Sequence, residues 1–262
     1  MGNCMGTRRD RGGRVASADA VCRLSELVAA DQAGEAIALV KEYPELLACE
    51  LFGSCNAPGN VVHCAVAHGA NAVLSHLLKE LPQPDKRMLS RGSTGYLSGT
   101  AWPHVKLVDQ ARQIDGMTPL MVACQQADCT AVKLLLEHGA DPWRHDNCFR
   151  RTCLHYAAAT GAAAVIPLIV EASRSKRHAS ALQARLLAER RSASEPVVST
   201  EQQLVDVASC GGHTPLMYAA LAGHADVCAA LLASGATTSA ACRLACGDSL
   251  CDLDPGGTAL HA

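Results

Sequence analysis

Apolar positions along this chain fall into short helical stripes that come in pairs. Val21, Leu24, Leu27 and Val28 form one stripe, and Ala36, Ile37, Leu39 and Val40 form the next, closed by Tyr43-Pro44. The pairing recurs at Val62-His63-Cys64-Ala65-Val66-Ala67 followed by Val73, Leu74, Leu77 and Leu78, with Gly69 as the turn between them. It recurs again at Leu120 to Cys124 with Ala131, Val132, Leu134, Leu135 and Leu136. There His138-Gly139-Ala140-Asp141-Pro142 ends the second helix and places Gly139 for a left-handed cap. Val165, Ile166, Leu168, Ile169 and Val170 make the second helix of a fourth pair, and a fifth runs from Cys210 to Ala236.

Each first helix opens on one motif. Gly116-Met117-Thr118-Pro119-Leu120-Met121-Val122-Ala123-Cys124 is the fullest copy, with Arg151-Thr152-Cys153-Leu154-His155-Tyr156-Ala157-Ala158 and Gly212-His213-Thr214-Pro215-Leu216-Met217-Tyr218-Ala219-Ala220 as others. Asn60-Val61-Val62-His63-Cys64-Ala65 is a worn copy, and Gly257-Thr258-Ala259-Leu260-His261-Ala262 a last one. The residue types have physical reasons. Thr118 suits a helix N-cap, where its hydroxyl accepts an orphan amide. Pro119 suits the first helical position, where a missing N–H costs nothing. Gly116 permits the tight turn before it. Thr118 to Thr152 is 34 positions, close to a known repeat period of about 33 residues.

These copies divide the chain. Residues 1–15 are a basic tail and 16–262 the array. Within it 16–55 is an N-terminal cap without the motif, as solenoids use atypical terminal repeats. Full repeats span about 56–81, 113–145, 146–173 and 205–237, with a partial one at 256–262. Loop insertions fill 82–111, 174–204 and 238–255, where solenoids tolerate extra length. Arg150 stands where the other copies have glycine, which predicts a distorted turn. A lone repeat cannot bury its apolar face, so the last partial copy predicts a longer natural chain and an uncovered surface near Leu231 and Leu232.

Motif, period and helix pattern together resemble ankyrin repeats over nearly the whole chain, which implies an all-α solenoid of stacked helix-turn-helix units with β-turn tips. In that family the histidine after the leucine is structural and bonds the neighbouring turn. A narrower likeness is to the N-terminal half of plant-type ankyrin-RING ubiquitin ligases. It rests on Met1-Gly2, the degenerate cap pair and the short insertion before Gly257-Thr258-Ala259-Leu260-His261. That likeness implies an array recruiting substrates beside a RING finger that binds the ubiquitin-conjugating enzyme. No RING pattern lies within these 262 residues.

Composition narrows the alternatives. Aromatic residues are only 3% of the chain, which suits close helix stacking more than a large globular core. Net charge is −2, so there is no global attraction to nucleic acid. Basic residues lack interleaved aromatics, against single-strand binding, and no Gly-rich phosphate loop follows a strand. The fourteen cysteines lie in helix patterns without paired spacing, as Cys64, Cys124, Cys153 and Cys228 do. That predicts free thiols in a reducing, cytoplasmic setting. The N-terminus has no secretory h-region. Gly2 after the initiator methionine reads as a myristoylation site and Cys4 as a palmitoylation site. Arg8, Arg9, Arg11 and Arg14 would supply the second signal that one acyl chain needs for a membrane surface. Serine beside arginine in the second insertion, with Ser194 three residues after Arg191, fits a basophilic kinase or a merely solvated loop.

Two further chemistries weigh less. His63-Cys64, and Cys153 with His155, offer cysteine and histidine, but these histidines occupy the structural motif position and Met121 and Met217 replace them elsewhere. No catalytic residue is therefore expected. Cys242, Cys246, Cys251 and His261 have loose zinc-ligand spacing, but His261 belongs to a repeat, so no metal or cofactor is expected. The function expected is protein binding, with partners of unknown identity and no small-molecule substrate. Aligned repeats place Ile114, Asp115, Met117, Gln125 and Gln126 on the concave surface, with Phe149, Arg151 and Thr160 beside them, then Cys210, His213 and Leu221. Phe149 and Arg151 would be exposed anchors, of the residue types enriched at hot spots; packing of Phe149 on Trp143 is the alternative. Substrate recognition for a RING-type ligase and a membrane-tethered signalling adaptor without ligase activity are the two finer functions.

Overall fold

The computed structural model describes residues 18–48, 51–52, 58–80, 107–175, 203–242 and 256–260. The chain divides into two compact units, 1–114 and 115–262.

In the first unit, α1 (Ala18–Ala29) and α2 (Ala33–Glu42) are the cap pair, and α3 (Val61–Ala67) and α4 (Asn71–Glu80) the second repeat, counting the cap as the first. Helix α1 packs on α2 and α3, and α4 packs on α2 and α3. A 3-10 turn at Pro44–Ala48 leads to a feature the helical pattern did not announce. The two-residue strand β1 (Leu51–Phe52) pairs antiparallel with β2 (Pro58–Gly59), Leu51 opposite Gly59. A second difference lies at the end of the first insertion. Leu107, Val108, Asp109 and Arg112 are buried, because Asn60 Nδ2 donates to Leu107 O at 2.8 Å and draws that segment under the repeat.

The second unit stacks three first helices, α5 (Pro119–Gln125), α7 (Cys153–Ala159) and α9 (Pro215–Leu221), each against the next. The second helices are α6 (Cys129–Glu137), α8 (166–175, after a 3-10 turn at Ala163–Val165) and α10 (Ala225–Ala233). The two classes are buried differently. Every residue from Pro119 to Cys124 and from Cys153 to Ala158 is buried, whereas α6 buries only Ala131, Val132 and Leu135. A first helix sandwiched between neighbours has room only for small residues on its tight sides, hence fully buried Ala123, Ala157, Ala158 and Ala219. A second helix keeps one stripe inward and shows polar residues on the other side. On α10 Leu231 is fully buried and Leu232 is exposed, so the expectation of two uncovered leucines holds for only one.

The motif cap forms at Thr118, whereas the Thr214 hydroxyl makes no cap bond. Thr118 Oγ1 accepts from Met121 N, and Asp128 Oδ1 accepts from Thr130 N and Ala131 N to start α6. First helices end in left-handed turns that return two bonds to the helix, as Ala127 N to Cys124 O and Asp128 N to Ala123 O. Gly69, Gly161 and Gly223 fill this left-handed position in other repeats, while here Ala127 takes it at φ 55°.

Candidate functional site

The tips before the first helices form a bonded row in the second unit. Asn147 N donates to Asp115 O at 3.0 Å, and Cys210 N donates to Phe149 O at 2.8 Å, so each tip is tied by backbone to the next. Within the last tip, Cys242 N donates to Gly257 O at 2.9 Å, as Asp146 N donates to Arg151 O at 2.9 Å within its own tip. The left-handed residue of each tip is Gly116, Arg150, Gly212 and Gly256 in turn. Arg150 adopts φ 56°, so its turn matches the glycine copies and the expected distortion is absent.

This register sorts the predicted contact residues. The residue after the left-handed one turns inward in the first three of these tips: Met117 is 5% exposed, Arg151 6% and His213 0%. These three are therefore scaffold, which corrects their assignment to the binding surface. Two residues before the left-handed one the side chain points out, as at Ile114 (64% exposed) and at exposed Cys210. Asp115 and Phe149 are half-buried. Asp115 Oδ1 accepts from Met117 N at 3.0 Å and so holds its own turn. Gln125, Gln126, Thr160 and Leu221 are exposed where successive first helices end. Thr160 spends its hydroxyl on Cys124 O at 3.1 Å and Tyr156 O at 2.9 Å, which ties α7 to α5.

Arg151 is buried against aromatic rings. Its guanidinium carbon lies 4.3 Å from the Phe149 ring centroid, 5.7 Å from that of Tyr156 and 5.9 Å from that of Tyr218. Phe149 thus packs on Arg151, its sequence neighbour but one. Below them Asp146 is 1% exposed and fully engaged: Oδ1 accepts from Phe149 N at 2.7 Å and Oδ2 from Tyr156 Oη at 2.6 Å. Burial first, and then the Asp146 carboxylate, push the Tyr156 phenol well above its usual range, while Arg151 pulls the other way. Asp146, Tyr156 and Tyr218 were missed by the sequence reading. The available signal was the tyrosine that follows the motif histidine or methionine in two copies.

The motif histidines carry structure. Thr152 N donates to His155 Nδ1 at 2.9 Å, which leaves the proton on Nε2, and that nitrogen donates to His213 O at 3.1 Å. His155 so joins the fourth repeat to the fifth, and Tyr218 meets its ring edge-on at 5.2 Å. His63 uses the other tautomer, with Nδ1 donating to Asn60 Oδ1 at 2.8 Å. Cys153 Sγ donates to Pro142 O at 3.5 Å rather than to a base. Burial, with Cys153 alongside, pushes the Cys124 thiol far up, away from thiolate chemistry. Among the described residues no group of three His, Cys, Asp or Glu could hold a metal, and no helix is long and apolar enough to cross a membrane. Cys246, Cys251 and His261 of the weighed zinc set lie outside the described residues, as do Gly2, Cys4 and Ser194.

Comparison with known families decides what the stacked units are. The family model for ankyrin repeats, in three copies, matches residues 28–180, and a further single ankyrin repeat matches 211–243. The chain belongs to the ankyrin-repeat family. Ankyrin repeats are protein-binding scaffolds, so the array has a protein-binding role. Over 116 residues the chain is 34% identical to an Arabidopsis thaliana protein named "Putative E3 ubiquitin-protein ligase XBAT31". That match covers 44% of this chain and 20% of the relative's length.

Proposed function

We propose that this ankyrin array selects the protein to be modified in a ubiquitin-ligation system. The similarity to a relative named as an E3 ubiquitin-protein ligase supports the reaction context. One observation carries the binding role. Gln125, Gln126, Thr160 and Leu221 stand exposed at the ends of successive first helices, on a backbone held rigid by the tip row and by Thr160. Long polar side chains beside a 36% exposed leucine on a fixed frame suit a protein surface, with little ordering cost on contact. Asp115, Phe149 and Cys210 extend this proposed surface.

The test uses full-length protein and its captured partner. Replacing Gln125, Gln126 and Leu221 together by Ala should reduce both partner capture and ubiquitin conjugation to the partner, with unchanged melting. Capture lost without any wild-type conjugation would support the adaptor function in place of ligation. Unchanged capture would remove this surface from the account. For location we propose anchoring by acylated Gly2 and Cys4, supported by Met1-Gly2-Asn3-Cys4 and the arginines that follow. Gly2→Ala should then release the protein from membranes, and an unchanged distribution would overturn the anchor.

A further inference from the structure

Arg150 occupies a position that geometry reserves for glycine. Its backbone is left-handed at φ 56°, while Gly116, Gly212 and Gly256 hold the same place in the other tips. Left-handed backbone is unfavourable for a residue with a Cβ, and such outliers concentrate where a side chain is used. The side chain of Arg150 is exposed, and so is Arg144 on the other arm of the same tip. The antiparallel bridge between His145 and Thr152 holds those two arms together. Nearby carboxylates are committed elsewhere. Asp146 is buried on Tyr156 and Phe149 N, Asp115 Oδ1 takes Met117 N, and Asp141 Oδ1 takes Trp143 N. Among the described residues no carboxylate pairs with Arg144 or Arg150.

We infer that the tip of the fourth repeat, through Arg144 and Arg150, receives an acidic segment of the partner protein. This deepens the proposed function, since it names the partner's chemistry at one end of the same surface and rests on that surface being used. Two guanidiniums unpaired among the described residues, on a finger braced by buried Arg151 and Asp146 and half-buried Phe149, present forked donors suited to carboxylates. The bracing lets the finger keep its shape when the left-handed residue is changed, so stability and binding can be separated by one substitution.

The experiment measures fluorescence anisotropy of a short labelled poly-glutamate peptide with the whole chain at low ionic strength. Arg150→Gly should weaken binding about two- to five-fold, as exposed ion pairs do, and Arg144→Ala by a similar factor. Arg150→Gly should at the same time raise Tm by about 2 °C, because glycine relieves the left-handed backbone. A control with exposed Lys133 on α6 replaced by Ala should bind the peptide as wild type does, which assigns the loss to the tip and not to net charge. Equal peptide affinity in wild type, Arg150→Gly and Arg144→Ala overturns the inference, as does a wild-type chain that fails to bind. Loss of natural-partner capture in the helix-end variant, with full capture by Arg150→Gly, would retain the surface and reject the acidic contact.

Discussion

Gly116→Ala tests how the tips are locked together. Gly116 sits at φ 75°, and a Cβ there would lie 2.6 Å from the backbone N of Asn147 and 2.5 Å from its Cγ. The side chain of Asn147 can swing away, but its backbone N cannot move without breaking the 3.0 Å bond to Asp115 O that joins two tips. The left-handed backbone costs alanine about 1–2 kcal/mol, and the stiffer unfolded chain returns about 0.4–1 kcal/mol. Losing the inter-tip bond costs about 1 kcal/mol, and overpacking about 1–3 kcal/mol. The net loss is about 2–6 kcal/mol, or roughly 4–24 °C in Tm at about 2–4 °C per kcal/mol. Gly139→Ala is the control, since Gly139 is also left-handed at φ 87° but has nothing within 4 Å of its would-be Cβ. It should lose only the conformational part, about 1 kcal/mol. Thermal and urea unfolding followed by circular dichroism would compare the two. Equal losses in Gly116→Ala and Gly139→Ala would refute the argument that tip-to-tip contact, beyond turn conformation, sets the cost.

Three further outcomes follow from the same geometry. Ala127→Gly should stabilise the chain by about 0.5–1 kcal/mol in urea unfolding, because Ala127 is exposed and left-handed where sister turns use glycine. Tyr156→Phe should cost about 1–3 kcal/mol, since it strips Asp146 Oδ2 of the 2.6 Å donor in a buried site. Tyr156 also gives a pH dependence. Its folded-state pKa is raised by burial above the ordinary 10.0, so its contribution is complete below pH 10 and is lost as pH rises further. Stability measured against pH should therefore fall more steeply above pH 10 in wild type than in Tyr156→Phe. His155→Met, which copies the residue of the third and fifth repeats, should cost about 1–3 kcal/mol by leaving His213 O without its Nε2 donor. A neutral effect there would show that the imidazole does not couple these repeats.

The frame was legible because it is local. Thr118-Pro119-Leu120 states a cap, a first helical turn and a core leucine within three residues, and the spacing of its copies states the stack. Register was harder to read. A charged side chain such as Arg151 reads as surface, and its burial depends on partners brought in from Asp146, Phe149, Tyr156 and Tyr218, the last 67 positions away (218 − 151). One fact would have removed Met117, Arg151 and His213 together from the contact set: the residue after the left-handed one turns inward. Its geometric origin is invisible in residue types, since Met, Arg and His share no chemistry. At Arg150 the missing glycine was legible, but its consequence was not. The turn keeps its shape because the His145–Thr152 bridge and the inter-tip bonds determine it from both sides. Burial of Leu107, Val108, Asp109 and Arg112 likewise comes from the side chain of Asn60, 47 positions before Leu107, and no local pattern encodes it.

The central claim is that the ends of the first helices are the binding face and the second helices are not. The most direct measurement is photo-crosslinking, with a benzophenone side chain placed singly at Gln125, Gln126 and Leu221, and at exposed Lys133 and Ala229 on second helices. The account predicts one common partner adduct from the three first-helix positions, none from the two second-helix positions, and its loss on competition with unlabelled chain. An adduct formed from Lys133 or Ala229 and absent at Gln125, Gln126 and Leu221 would contradict it.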